Sequence, residues 1–195
     1  MDNHGQDILN LFRQRQALLE GHFLLSSGLH SEKYLQCALV LQYPDAATEL
    51  CFKLAGLFRG EKIDFVIAPA LGGIIVAQEV AKALGVRAIF AERLDGKLIL
   101  RRGFTINEGE RAIVVEDVIT TGGSTKETMR VVTEAGGIVI AAGSIIDRSG
   151  GTTDLGVPYK SLVTLAINTY QPKECPLCEK GLPLVKPGSR TALKS

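Results

Sequence analysis

Charge of either sign is not in excess in this 195-residue chain: 21 acidic residues face 22 Lys and Arg, a net charge of +1. A dedicated nucleic-acid binder usually shows a strongly basic face, so this balance argues against one. Cysteine is scarce as well. Four thiols are too few for a disulfide scaffold in a domain of this size. Cys37 and Cys51 lie among apolar residues and read as reduced core residues. Cys175 and Cys178 form one Cys-x-x-Cys in a Pro-rich tail, half of a zinc site with no second cysteine pair in the chain. Three readings stay open for that pair: a structural or incidental role, a metal site completed by another subunit, and a redox disulfide. No apolar run approaches the ~18 residues that span a bilayer. Asp2, Asp7, Arg13, Arg15 and Glu20 interrupt any leader-like apolar core in the first twenty residues. These absences predict a cytoplasmic chain with no membrane partner. Gly-Lys-Ser/Thr and Gly-x-Gly-x-x-Gly are both missing, which excludes Walker and dinucleotide loops. No internal repeat is present.

Hydrophobic residues make up 46%, with 21 glycines, which suits a compact α/β enzyme of one domain. The pattern divides that domain into an amino-terminal helix and hood (1–43), an α/β core (44–170) and a tail (171–195). Apolar spacing predicts an amphipathic helix from Asp7 to Glu20, ended by Gly21. Residues 23–34 read as two short strands around a turn at Gly28, and Pro44 opens a helix to about Arg59. Strands are expected at Phe65–Ala68, Arg87–Ala91, Ile138–Ile146 and Leu162–Ala166 and over the apolar run from Ile113 to the acids Glu116 and Asp117, with helices at Ile74–Leu84 and Ser124–Ala135. This alternation implies right-handed crossovers and a twisted, mostly parallel sheet flanked by helices. Residues 92–104 carry Arg93, Lys97, Arg101 and Arg102 around an Asp95-Gly96 hairpin signal. With little apolar surface to anchor it, this arm reads as a mobile lid or hairpin. The tail is read as a segment of uncertain order.

The most informative stretch is Ile113-Val114-Val115-Glu116-Asp117-Val118-Ile119-Thr120-Thr121-Gly122-Gly123-Ser124-Thr125. A β-branched run that reads as a buried parallel strand ends in two acids. The turn that follows offers backbone N–H groups and hydroxyls at a helix N-terminus, where an anion is favoured. Acids in reach of sugar hydroxyls or a hydrated metal, beside a phosphate loop, suit a phosphorylated ribose.

This segment resembles the phosphoribosyl-pyrophosphate (PRPP) signature of type I phosphoribosyltransferases. Phe23-Leu24-Leu25-Ser26-Ser27-Gly28-Leu29-His30-Ser31, followed by Tyr34, resembles the amino-terminal signature of orotate phosphoribosyltransferases, and Asp147-Arg148 matches that family's Asp-Arg. The tail from Cys175-Pro176-Leu177-Cys178 through Lys186-Pro187-Gly188-Ser189-Arg190 is similar to a bacterial subgroup of the same family. The resemblance implies the type I phosphoribosyltransferase fold and transfer of phosphoribose from PRPP to orotate. Thr120, Thr121, Gly122, Gly123, Ser124 and Thr125 would hold the 5-phosphate, using the hydroxyls of Thr121, Ser124 and Thr125. Glu116 and Asp117 would take the ribose hydroxyls, with Asp117 also able to pass a proton. Ala70, Gly72 and Gly73 would approach the pyrophosphate, and the four arm cations would neutralise it. Arg148 would grip the orotate carboxylate, Ser27 and Gly28 would read the ring carbonyls, and Tyr34 would pack near the ring. No metal site is fixed: Mg²⁺ would arrive on PRPP, near Glu116 and Asp117. A homodimer sharing arm 92–104 between neighbouring sites is also implied.

The chain departs from the family pattern in places. Many orotate enzymes have lysine where Ser26 and Gly72 stand here, and their mobile loop carries a histidine that this arm lacks. Two alternatives therefore stand beside the orotate reading: a purine or xanthine phosphoribosyltransferase, and a non-catalytic PRPP-fold regulator.

Overall fold

The computed structural model describes residues 3–25 and 27–187. Helix α1 (Asn3–Gln14) is followed by the antiparallel pair β1 (Leu18–Leu24) and β2 (His30–Leu35). The expected helix over 7–20 is therefore too long at its end. Ala17 and Leu18 are core residues of the hood, and Leu18, Leu19 and Glu20 pair with β2, so tertiary pairing takes them from the helix. Gly21 lies inside β1, not at a helix end.

A short helix α2 (Ala38–Leu41) precedes α3 (Pro44–Gly56), which stops a turn before Arg59. Proline at the first helical position needs no intrahelical partner for its missing N–H, and Asp45 favours the positive end of the dipole. Then come β3 (Phe65–Pro69), α4 (Gly73–Leu84), β4 (Arg87–Leu94), β5 (Lys97–Leu100), β6 (Arg111–Ile119), α5 (Gly123–Glu134), β7 (Ile138–Asp147) and β8 (Tyr159–Thr164). Strand β8 starts three residues before the expected 162–166. A further short strand, β9 (Thr169–Tyr170), joins the hood by pairing with β2.

The main sheet has the order β5-β4-β3-β6-β7-β8, parallel except for β5 at its edge. Side chains of β6 alternate between two cores, as the period-two geometry of a strand demands. Ile113 and Val115 join the cluster containing α3 and α4 residues; Ala112 and Val114 join the one with Met129 and Val132 of α5. Burial on both faces is why the run is continuously apolar. Ile8, Leu9 and Phe12 bring α1 onto the first cluster.

The arm does form a hairpin, with Leu94 facing Lys97 across Asp95-Gly96. Its anchoring is stronger than its composition suggested: Leu98 is buried, and Phe90 meets Phe104 edge-on at 5.1 Å. The tail is also placed as far as Pro187. It makes a 3₁₀ turn at Pro172–Glu174 and helix α6 (Pro176–Glu179), and Val185 then bridges to Phe23 of β1. Among the described residues no helix is long and apolar enough to cross a membrane.

Candidate active site

Strand order reverses between β3 and β6, and in open parallel sheets that switch point opens a crevice beyond the strands' carboxyl ends. The 70–72 loop leaves β3 there, and Glu116 and Asp117 lie near the end of β6. Their proximity is direct. A Cβ built on Gly72 would stand 2.9 Å from Asp117 Oδ2, so the glycine lets this loop rest against the carboxylate without displacing it. The Ala70 N–H is engaged by the Ala91 carbonyl at 2.8 Å, so the loop's exposed tip is Leu71 and Gly72. Gly73 is buried at the start of α4, where a Cβ would meet the Ala68 Cβ at 2.7 Å. Of the three expected residues, Gly72 is exposed beside Asp117, Ala70 is half-buried and Gly73 is buried.

Residues Thr120 to Thr125 wrap a cavity of about 250 Å³ at the N-terminus of α5, with Glu116 and Glu127 on its wall. Gly122 holds φ at +75°, and a Cβ there would strike Leu155 at 2.5 Å. Backbone N–H groups at such a terminus favour an anion. The Thr125 hydroxyl is used differently from the expectation. Thr125 is fully buried, and its hydroxyl donates to Glu116 Oε1 at 2.5 Å, so it orients the acid. Thr121 and Ser124 remain on the cavity wall.

Burial pushes the Glu116 carboxyl up to about 7, partly offset by the Thr125 hydroxyl and reinforced by the neighbouring Asp117. Burial also raises Asp117, against the pull of the Val118 N–H, which donates to its Oδ1 at 2.9 Å. Cys37, a buried core thiol as expected, points its Sγ at the Asp117 carbonyl 3.8 Å away.

A second cavity of about 560 Å³ shares Thr120 and Thr121 with the first. Ser27, Tyr34 and Arg148 line it, together with Ile167, Thr169, Lys186 and Pro187. Gly28 forms the hood turn at φ +83° and is not on the wall, and Ser26 lies outside the described residues. Arg148 is set by its predecessor. The buried Asp147 carboxylate accepts from the Ser149 and Gly151 N–H groups at 2.7 and 3.0 Å, while the Arg148 N–H donates to Ile119. Arg148 Nε is buried without a partner, and Arg148 joins no ion pair among the described residues. Burial lowers its pKa, yet a guanidinium stays charged. A buried, unsatisfied donor of this kind calls for an acceptor.

None of the four arm cations lines either cavity directly. Arg93 pairs with Glu127 at 3.0 Å and so touches the wall of the phosphate cavity. Arg102 clasps Glu92 through two bonds of 2.8 and 2.7 Å, which lowers the Glu92 pKa. Lys97 and Arg101 are exposed and line neither cavity. Sequence reasoning overlooked Lys186, Ile167 and Thr169 as cavity residues. Ile167 and Thr169 lie in no quoted motif, and the tail segment that holds Lys186 carried a resemblance but no placement; the docking of tail and β9 on the hood brings them in.

Crevice, anion loop, paired acids and a basic acceptor cavity define a transferase of phosphorylated sugars. Residues 40–179 match the family model of the phosphoribosyl transferase domain. An orotate phosphoribosyltransferase of Caldicellulosiruptor bescii is 58% identical over 93% of this chain and 96% of its own length. One from Caldanaerobacter subterraneus subsp. tengcongensis is 56% identical over 95% and 97%. The crystal structure of orotate phosphoribosyltransferase from Aeropyrum pernix superposes with a TM-score of 0.64 at 28% identity, covering 81% of this chain and 93% of that one. The chain belongs to the orotate phosphoribosyltransferase family.

Proposed function

We propose that this chain transfers the phosphoribosyl group of PRPP to orotate, giving orotidine 5′-monophosphate and pyrophosphate in pyrimidine synthesis. The observation that carries the acceptor choice is Arg148, which lines the cavity that adjoins the phosphate loop, joins no ion pair among the described residues and leaves its buried Nε without a partner. A planar guanidinium fork matches a carboxylate, and orotate is a pyrimidine that carries one. A purine base offers only neutral ring and carbonyl acceptors and no carboxylate to match the fork.

The chemistry forms a bond from orotate nitrogen to ribose C1 as the C1–oxygen bond to pyrophosphate breaks. Positive charge builds on the sugar, as in other glycosyl transfers, and negative charge on the leaving group. The loop Thr120–Thr125 fixes the 5-phosphate, so the ribose is oriented before reaction. Glu116 and Asp117 then lie beside the ring, where their carboxylates hold the hydroxyls and offset the developing charge. Asp117 is the proton carrier. The Gly72 backbone sits against it, at the place where pyrophosphate would pass.

Two adjacent carboxylates beside a phosphate cavity also fit Mg²⁺, which prefers phosphates, water and one or two carboxylates. When bound with PRPP, the ion would neutralise pyrophosphate charge, with Glu116 and Asp117 as its protein contacts. The arm completes the neutralisation. Lys97 and Arg101 lie away from their own chain's cavities, which favours a homodimer in which arm 92–104 serves the neighbouring site. The working compartment is the cytoplasm.

The test is a single assay of full-length protein with PRPP, Mg²⁺ and orotate, following loss of orotate absorbance beside parallel reactions with purine bases. Mg²⁺-dependent orotate turnover is expected. Turnover of a purine in its place would overturn the role of Arg148, and PRPP binding without any turnover would favour a regulator.

A further inference from the structure

The phosphoribosyl chemistry leaves one cluster unused. His22, His30, Cys175 and Cys178 bring one ligand atom each to within 4.8 Å of one another, and the first three residues are buried. The tail cysteines thus have partners after all, and the missing half of the site is two histidines of the same chain's hood.

The atoms are arranged as ligands. His22 Nε2 lies 2.9 Å from His30 Nδ1, 3.6 Å from Cys175 Sγ and 3.7 Å from Cys178 Sγ. Cys178 Sγ is 3.3 Å from His30 Nδ1. Zinc bonds of about 2.0–2.1 Å to nitrogen and about 2.3 Å to sulfur make tetrahedral edges of roughly 3.3–3.8 Å. Four of the cluster's six edges run from 2.9 to 3.7 Å, and the other two stay within 4.8 Å. His22 Nδ1 donates to the Leu182 carbonyl at 2.9 Å, which leaves the Nε2 lone pair facing the cluster.

Local structure explains how the four converge. Between Glu20 and Phe23 the β1–β2 register slips by one residue, because three steps on β1 match two on β2. A bulge re-aims the side chain it contains, and here His22 and Phe23 are buried in succession. Opposite them, His30 begins β2. On the tail, the Cys178 N–H bonds to the Cys175 carbonyl at 3.0 Å, and that turn sets both thiols on one side.

We infer that these four residues form a structural site for a thiophilic divalent cation of the zinc type, which fastens the tail to the hood. Two thiolates and two imidazoles in a closed tetrahedron suit zinc and leave no open position for catalysis. Binding displaces the two thiol protons. The tail otherwise rests on few apolar contacts: Leu182, Leu184 and Val185 are all exposed. Two backbone bonds, Val185 N–H to the His22 carbonyl and Leu24 N–H to the Val185 carbonyl, each 2.8 Å, align it with β1. His22 therefore holds the tail through both its carbonyl and its ring. Lys186 and Pro187 follow directly and reach the acceptor cavity, so the metal sets the position of one wall of that cavity.

Full-length protein, reduced and stripped with a chelator, would be titrated with Zn²⁺ and with Co²⁺ in a large excess of Mg²⁺, which masks the carboxylates. One equivalent per chain is expected, with release of two protons and, for Co²⁺, tetrahedral d–d and thiolate-to-metal absorption. Cys175→Ser with Cys178→Ser should retain less than about a tenth of an equivalent, as should His22→Gln. Uptake below about a tenth of an equivalent by the reduced wild type overturns the site. So does a full equivalent in the double serine variant, or cobalt bound without thiolate absorption. These outcomes rest on metal content and spectra, so their failure would leave the acceptor reading untouched.

Discussion

The site has two halves built on opposite plans. The phosphate half is one continuous segment: β6 delivers Glu116 and Asp117, and the next eight residues complete the loop. The acceptor half is assembled from the hood at Ser27 and Tyr34, the end of β7 at Arg148, β9 at Thr169 and the tail at Lys186. Continuity makes the first half depend on local backbone geometry at the end of a buried strand. The second depends on long-range docking, so its accuracy rests on whatever holds the hood and tail together. Damage to the first half should strike chemistry, and damage to the second should strike selection of the base.

The sharpest break in that contrast is Asp117→Asn. Loss of a positioned proton carrier typically lowers rate by 10²–10⁴-fold, so turnover should fall at least ~100-fold with both substrates still bound. Unchanged turnover, by steady-state kinetics, would remove Asp117 from the reaction. The same chain tests the shared arm: mixed with an Arg101→Ala chain, it should recover partial activity in verified heterodimers, each supplying what the other lacks. Failure to recover would confine the arm to its own subunit.

Arg148→Ala probes the acceptor half. Hydrogen bonds to a charged group contribute about 1.5–3 kcal/mol, so the KM for orotate should rise roughly 10- to 100-fold. The KM for PRPP should hold within about twofold, since the phosphate loop is independent of the guanidinium. Equal weakening of both substrates would mean that Arg148 supports the loop and not the base.

The same contrast decides what could be read from sequence. Strand, acids and loop between Ile113 and Thr125 were legible because the chemistry is contiguous and the apolar run is uninterrupted. Arg148 was legible through its Asp-Arg pair, although the work of Asp147 in tying down the following N–H groups was not. The end of α1 was misplaced because Leu18 and Leu19 satisfy helical spacing equally well, and only pairing with β2 decides against it. The bond from the buried Thr125 hydroxyl to Glu116 could not be read from the sequence, because it depends on how the first turn of α5 packs against β6. His22 and His30 gave no signal beside a distant Cys-x-x-Cys, since their spacing is set by a bulged hairpin and not by a motif. The arm's apolar anchor, Leu98, stood as one residue among cations.

Glu116 offers the finest test, because its penalty belongs to the phosphate half alone. Its carboxyl moves from an ordinary 4.5 to about 7 on folding, chiefly through burial. The folded state therefore binds more protons than the unfolded chain between those values, and stability falls as pH rises through that window. Below about pH 4.5 no penalty exists, and above about pH 7 it is complete. A shift of this size corresponds to about 3 kcal/mol at most, reduced by whatever relaxation accompanies ionisation. Glu116→Gln keeps an acceptor for the Thr125 hydroxyl and removes the charge. Its advantage in stability over the wild type should grow by roughly 2 kcal/mol between about pH 5.5 and pH 8, or some 4–8 °C in Tm for a chain of this length. Turnover should fall in the same variant, because the hydroxyl-binding charge is gone. Melting curves of the two proteins across pH give the answer. Parallel curves would show that Glu116 is already solvated in the folded protein, and that the phosphate half does not hold its acids under desolvation as its geometry implies.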